Sequence, residues 1–433
     1  LLEANVRYDG SSRLDPSKRW RAFPSVSAAW RMNEESWFNL DFISNLKVRA
    51  SWGQLGNGAV LGLYDYMPML KDENYIAEKA YYQENLAAKD KTWEVIETTN
   101  LGIDFGLFNN RLSGSFEYYW KYNNDMLSSL QLPSQIGIGV PKMNVGKLKT
   151  WGWDFNISWK DKIKDINYQV SFNISDSQNK LVQYDGASTI KAGTVDLLEG
   201  YEMNSLWGYV TDGYWTSREE YLQYKKDHPG YKSFNDGKIA GGDVKYVAQG
   251  KADHEIGVGG ATPEDPGDLV YLGNTNGRYL YGLNLAAQWK GFDISVMFQG
   301  VGKRSVLLEG SAICPLYNTA DMPWTIHRDY WTEDNPNAYW PRIYNNKGND
   351  FNYKASDKWI QSGAYIRLKN ITLGYTIPVF KKYINRLRVY VTGEDIWEHS
   401  NLLSIYDPEV GNTPGRDVYP FFRTWTVGLN VSF

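Results

Sequence analysis

Apolar and polar residues alternate with a period of two, again and again, along this chain. In the closing stretch RTWTVGLNVSF, Trp425, Val427, Leu429, Val431 and Phe433 fall on one side and Thr424, Thr426, Gly428, Asn430 and Ser432 on the other. The same alternation runs through Leu2 to Tyr8, Val26 to Met32, Leu46 to Trp52, Leu101 to Leu107, Phe116 to Tyr122 and Trp153 to Trp159. It returns at Ile166 to Ile174, Tyr281 to Trp289, Phe292 to Phe298, Ile371 to Ile377 and Leu387 to Val391. Successive side chains of a strand point to opposite faces, so each run reads as a strand with one greasy and one wet side. About a dozen runs of roughly 10 residues make the chain all-β and antiparallel.

The wet side carries Glu3, Arg7, Lys47, Arg49, Asp104, Glu117, Lys121, Asp154, Asn173, Asp293 and Arg388. A soluble sandwich with one solvated face has this pattern. So does a transmembrane barrel, in which the greasy face meets lipid and the wet face a polar lumen. A mean hydropathy of -0.51 and the lack of a run of about 18 apolar residues argue against a membrane-crossing helix. They do not argue against a barrel, whose two faces cancel in the average. Connection lengths favour the barrel. Short links (FNNR, KDKIKD, KG, PVFKKYINR) alternate with long ones at about 56–92, 127–142, 177–278, 302–361 and 398–422. Short turns on one side and long loops on the other are the outer-membrane pattern. Aromatics make up 15% of residues, with 18 Trp and 32 Tyr, which suits membrane-interface girdles or sugar-stacking surfaces.

Local signals refine this. Glu34 to Ser44 reads as a small amphipathic helix on the short-turn rim. TSREEYLQYKKDHPG reads as a helix with Ser217 as N-cap, acids in the first turn, lysines near the end and Pro229-Gly230 as the stop. The Gly- and Asp-rich stretch 231–278 reads as irregular. Between Leu368 and Ile371 the apolar phase slips by one residue, which a β-bulge accounts for. The text opens on Leu1 inside a patterned segment, so the expectation is a C-terminal part of something longer. A last strand that closes a ring explains why the chain ends on an aromatic, Phe433, with no polar tail.

Chemistry is sparse. A net charge of -4 gives no basic footprint for nucleic acid. The lone Cys314 excludes an internal disulfide framework and has no evident base beside it. His228, His254, His327 and His399 show no metal-ligand spacing. There is no nucleophile elbow and no phosphate loop, so the expectation is no enzyme, no metal and no cofactor. Binding is the better reading. The long loops are dense in rings that can stack on sugar faces, and polar neighbours can satisfy hydroxyls. The candidate substrate or partner contacts are Trp207, Tyr209, Asp212, Tyr214, Trp215, Trp331, Trp340, Arg342 and Asp350. The alternative for each ring is packing of the loops against one another, or anchoring near lipopolysaccharide.

Several stretches resemble the SusC/RagA family of TonB-dependent outer-membrane transporters of Bacteroidetes. They are VRYDGSSRL with RWRAFPSVSAAWRMNEESWF, LKVRASWGQLGN, LWGYVTDGYW, YGLNLAAQWKGFDISVMFQGV, AYIRLKNITLGYTIP, and YDPEVG followed by YPFFRTWTVGLNVSF. Each string is weak alone; their order and spacing, nearly end to end, are specific. The resemblance implies a 22-stranded barrel with an N-terminal plug, of which this chain supplies about the last 12 strands. It implies import of oligosaccharides, with oligopeptides the alternative cargo. It also implies a SusD-like surface lipoprotein over the long loops, and the TonB complex acting through the plug, which is not in this chain. A C-terminal aromatic is the kind that outer-membrane assembly machinery recognises. The counterpart of the family's acidic loop, NDGKIAGGDVKYVAQGKADHEIG, departs from a calcium loop in lacking its acidic order. Two rivals remain: a passive channel closing on a dozen strands, and a soluble β protein. The first requires the strand at Leu2 to pair with the strand at Thr424. The second requires Trp153, Phe155, Trp159, Phe172 and Phe298 to be buried against another sheet.

Overall fold

A computed structural model describes residues 1–433 except 77, 131–134, 136, 187, 251–252, 318–320, 345–350, 379–382 and 412–417. Twelve strands form one antiparallel sheet in which every strand pairs with the next in sequence. They are β1 (Leu2–Gly10), β2 (Trp20–Arg31), β3 (Ile43–Asn57), β4 (Glu94–Leu107), β5 (Leu112–Ser128), β6 (Met143–Ile163), β7 (Ile166–Tyr184), β8 (Arg278–Trp289), β9 (Phe292–Lys303), β10 (Tyr365–Ile377), β11 (Arg386–Ser400) and β12 (Thr424–Ser432). Local pairing of neighbours is the register that two-faced strands and short turns dictate. β7 continues to Tyr184, beyond the expected loop start at 177, because it stays paired with β6 as far as Gly146.

The apolar side of this sheet is not a core. Val26, Trp30, Leu101, Phe116, Leu373, Val391, Val427 and Leu429 are all exposed. Trp153, Phe155, Trp159, Phe172 and Phe298 are only partly buried, and among the described residues no second sheet packs on them. The soluble reading therefore fails. The passive 12-strand ring fails too: the sheet order begins at β1 and ends at β12, with no pairing between them. Both edge strands are exposed on almost every residue.

Around the short turns the rings touch in series. Trp30 contacts Trp37; Phe42 contacts Phe108, which contacts Trp159; Trp289 contacts Phe292, which contacts Tyr375. This is the aromatic girdle of one membrane interface. It also corrects the expected rim helix. Only a single 3-10 turn, Met32–Glu34, forms there, and the chain then runs through turns. Trp37 and Phe42 are drawn into the girdle on neighbouring strands, and one helix face could not deliver both. The two-residue turn Lys290-Gly291 has positive φ at both positions, 45° and 91°, as the tightest hairpins require. The phase slip in β10 is a bulge: its pairing with both β9 and β11 shifts at Leu368/Asn370.

Candidate functional site

The long connections fold into a layer with its own hydrophobic cores. α1 (Arg218–Asp227) is capped as its sequence demands: the Ser217 hydroxyl accepts from the Glu220 amide at 3.2 Å, and Glu219 and Glu220 sit at the positive end of the helix dipole. The stretch 231–278 is not irregular throughout. Val244–Tyr246 pairs with Thr211–Tyr214, and Val270–Asn274 pairs with Ser205–Gly208. These are non-local pairings that a local reading misses.

The nominated residues divide into two groups. Trp207, Trp215, Trp331 and Trp340 are enclosed. Trp215 is ringed edge-on by Tyr221, Tyr224 and Tyr231. Trp207 meets Tyr201 and Tyr271 edge-on, and its indole donates to Ser205 Oγ at 3.1 Å. Trp340 stacks on Trp359 with centroids 5.5 Å apart and donates to Ile326 O at 2.7 Å. Trp331 lies against Gly241 and Gly242, where a Cβ would come within 3 Å of its ring. In this conformation their faces are taken by loop neighbours, and they hold the layer together. Tyr209 is half-buried, edge-on to Phe234 and Tyr246. Asp350 lies outside the described residues.

The second group is accessible. Asp212 is exposed and pairs with Lys245 at 3.2 Å. Tyr214 donates its hydroxyl to Tyr339 O at 2.6 Å. Arg342 is exposed, with its guanidinium 5.5 Å from the Tyr344 ring. Lys358, which carries no local sequence signal, sits against one of these, Tyr214. Its ammonium lies 4.7 Å from the Tyr214 ring and 5.2 Å from those of Tyr339 and Trp359. Burial among rings pushes its pKa down to about 8, with neighbouring Asp357 opposing the shift. The patch of Tyr214, Tyr339 and Lys358, with exposed Asp357 beside it, thus offers two phenol rings, an acid and a weakly held proton to a polar ligand.

Two buried polar ties hold the loops in register, and neither was legible locally. The Asp243 carboxylate is fully buried. It accepts from Tyr344 Oη at 2.8 Å, Asn352 Nδ2 at 2.9 Å and the Ala240 amide at 2.9 Å. Burial raises its pKa against the lowering effect of those donors. It joins the loop between β7 and β8 to the loop between β9 and β10. The second tie is Arg367, at the outer end of β10 beside the bulge and wholly buried. It reaches Glu409 at 2.8 Å and Glu398 at 3.2 Å, and also bonds Asp407. Lys369 adds Asp395 at 3.0 Å and Glu409 at 3.2 Å. Arg304 completes the hold by donating to Pro408 O and Val410 O at 3.1 and 2.7 Å. The DPEV stretch of the last long loop is thereby clamped to the wall.

On the polar face of the sheet, Arg49 bridges Asp104, at 3.2 Å, and Glu117, while Lys47 reaches Asp104 at 2.9 Å. Farther along β6, between Asp154 and Lys160 on the same face, lies a patch of hydroxyls and amides. Asn156 bonds Ser115, and Ser158 and Ser171 bond each other at 2.8 Å with Gln169 beside them.

Comparison with known proteins fits this architecture. A family profile described as "TonB dependent receptor-like, beta-barrel" matches residues 1–298. The chain is 28% identical over its whole length to TonB-dependent receptor P26 of Formosa agariphila, covering 44% of that protein. It is 25% identical to TonB-dependent receptor SusC of Bacteroides thetaiotaomicron, again over its whole length and 42% of that protein. It therefore spans less than half the length of these relatives. In fold it matches the RagAB peptide transporter with a TM-score of 0.77, at 22% identity and over 46% of that chain. Exposed apolar wall, aromatic girdle, polar lining and matching profile agree: the chain belongs to the TonB-dependent receptor-like β-barrel family and is an outer-membrane protein of SusC type.

Proposed function

We propose that this chain is the C-terminal wall and outer loop layer of a TonB-driven importer of oligosaccharides. The observation that carries the cargo assignment is a patch of hydroxyl and amide groups on the polar face of β5, β6 and β7, in which Asn156 bonds Ser115 and Gln169 bonds Ser158 and Ser171. Such groups exchange hydrogen bonds with sugar hydroxyls at little net cost. Asp212, Tyr214, Arg342, Tyr339 and Lys358 would meet the cargo, or a SusD-like lipoprotein closing over the loops. The enclosed tryptophans would act as scaffold for that surface. Energy would enter through TonB and a plug contributed from outside this chain. No catalytic step belongs to this reading.

Oligopeptide cargo is the second reading. It is favoured by the Lys47–Arg49–Asp104–Glu117 network, which offers both charge signs to a zwitterionic ligand. Binding to the purified transporter–lipoprotein complex decides between them. Micromolar retention of neutral oligosaccharides is expected. Tight peptide retention without glycan binding would reverse the assignment.

A further inference from the structure

The lipid face of the wall changes character at its loop end. On β6 the outward run Trp159, Ile157, Phe155, Trp153 and Trp151 gives way to Lys149 and Lys147. Both ammonium groups lie over the Tyr122 ring, at 5.7 and 5.3 Å, and Lys149 is also 5.5 Å from the Trp151 ring. Tyr122 continues the outward run of Phe116, Tyr118 and Trp120 on β5, so the lysines share the lipid face. Lys180 on β7 is the registered partner of Lys149 and must point the same way.

Depth follows from strand geometry. Trp159 and Trp151 are eight residues apart on β6, about 26 Å along a strand and ~20 Å in height at a tilt of about 40°. They therefore mark the two aromatic interfaces. Lys149 and Lys147 stand roughly 5–10 Å above the upper one, at headgroup level. Among the described residues none of the three lysines makes an ion pair. The carboxylate on that face, Asp176, lies opposite Trp153 and is committed to Arg278. Like charges placed directly opposite one another across two strands are destabilising, so an anion between Lys149 and Lys180 would be stabilising.

We propose that Lys147, Lys149 and Lys180 form a docking site on the outer wall for the phosphorylated headgroup of an outer-leaflet glycolipid. A phosphate between Lys149 and Lys180 cancels their repulsion and gains charge-assisted hydrogen bonds. The acyl chains then run down over Trp151, Trp120 and Tyr118. A free phosphate would satisfy the ammonium groups but gain nothing from the rings.

The test uses the transporter purified from outer membranes, delipidated, and offered lipid A with or without its phosphate in mixed micelles; native mass spectrometry counts what is retained. The wild type is expected to retain the phosphorylated form at least ten-fold better than the dephosphorylated one. The K147Q/K149Q/K180Q variant is expected to lose that preference, and the corresponding triple Arg variant to keep it. Heat-modifiable gel migration reports that each variant is folded. Equal retention of both lipid forms by the wild type would overturn the proposal without recourse to any variant. So would an unchanged preference in the folded Gln variant. Displacement of the glycolipid by equimolar inorganic phosphate would overturn it as well, by assigning the lysines to free anions.

Discussion

Replacing Arg367 by Met should release the last long loop from the wall. The guanidinium is fully buried and holds Glu398, Asp407 and Glu409, with Lys369 the second cation in a group that also includes Asp395. With the exposed Arg423, 3.4 Å from Glu398, three cations face four carboxylates, a balance of -1 that becomes -2 in the variant. Removing one partner of a buried ion pair costs roughly 3–5 kcal/mol, because the remaining charges lose their compensation. Arg304 still holds Pro408 O and Val410 O, so the low end of that range applies to the loop itself. At ~1.4 kcal/mol per factor of ten, about 3 kcal/mol raises the open population roughly 100-fold. The readout is hydrogen exchange of the amides of Tyr406 and Val410, which donate to Leu403 O and Asp407 O. Their exchange should accelerate by about that factor, while the amides of Val244–Tyr246, in a different loop, should not change. Arg367→Lys, which keeps the charge and loses the fork, should fall between. Protection at Val410 within a factor of three of wild type in Arg367→Met would refute the clamp.

Three further outcomes are expected. Trp215→Ala opens a cavity among Tyr221, Tyr224 and Tyr231; a local loss of about 3–5 kcal/mol should expose the loop between β7 and β8 to protease while the barrel keeps its heat-modifiable migration. Lys358 is charged both folded and unfolded below pH 8, so the burial cost is fully present there. Between about pH 8 and the usual lysine value the unfolded loops bind more protons, and loop stability should rise with pH; Lys358→Met should flatten that rise in fluorescence-monitored loop melting. Gly291→Val puts a β-branched residue at φ 91° with its Cβ 2.9 Å from Thr376 O, so barrel assembly yield should fall several-fold in a membrane-insertion assay.

The wall was legible because lipid and water impose opposite demands on alternate residues. Even the bulge could be read, since a slip in apolar phase at Leu368 to Ile371 leaves no other way to keep both faces. The loop rings were not legible in the same sense. Trp215 and Tyr339 carry the same sequence signal, yet one is enclosed and the other partly exposed, because non-local packing decides which ring gets covered. Asp243 and Arg367 carry no local signal for a related reason. Their partners lie in loops distant in sequence, Asn352 and Tyr344 for the first and Asp407 and Glu409 for the second. The strings AYIRLKNITLGYTIP and YDPEVG were each conspicuous, but nothing in either announces that one holds the other. The rim segment after β2 has a helix-like pattern without being a helix because its aromatics serve neighbouring strands rather than a helical face.

Pairing of every wall strand with its neighbour in sequence bears on how such a wall comes into being. Across a short turn the second strand is held beside its partner from the start, at little cost in chain entropy. Those hairpins can be laid down one after another, whereas β8 has to find β7 across the stretch 185–277, which makes that pairing the slow step in knitting the wall together.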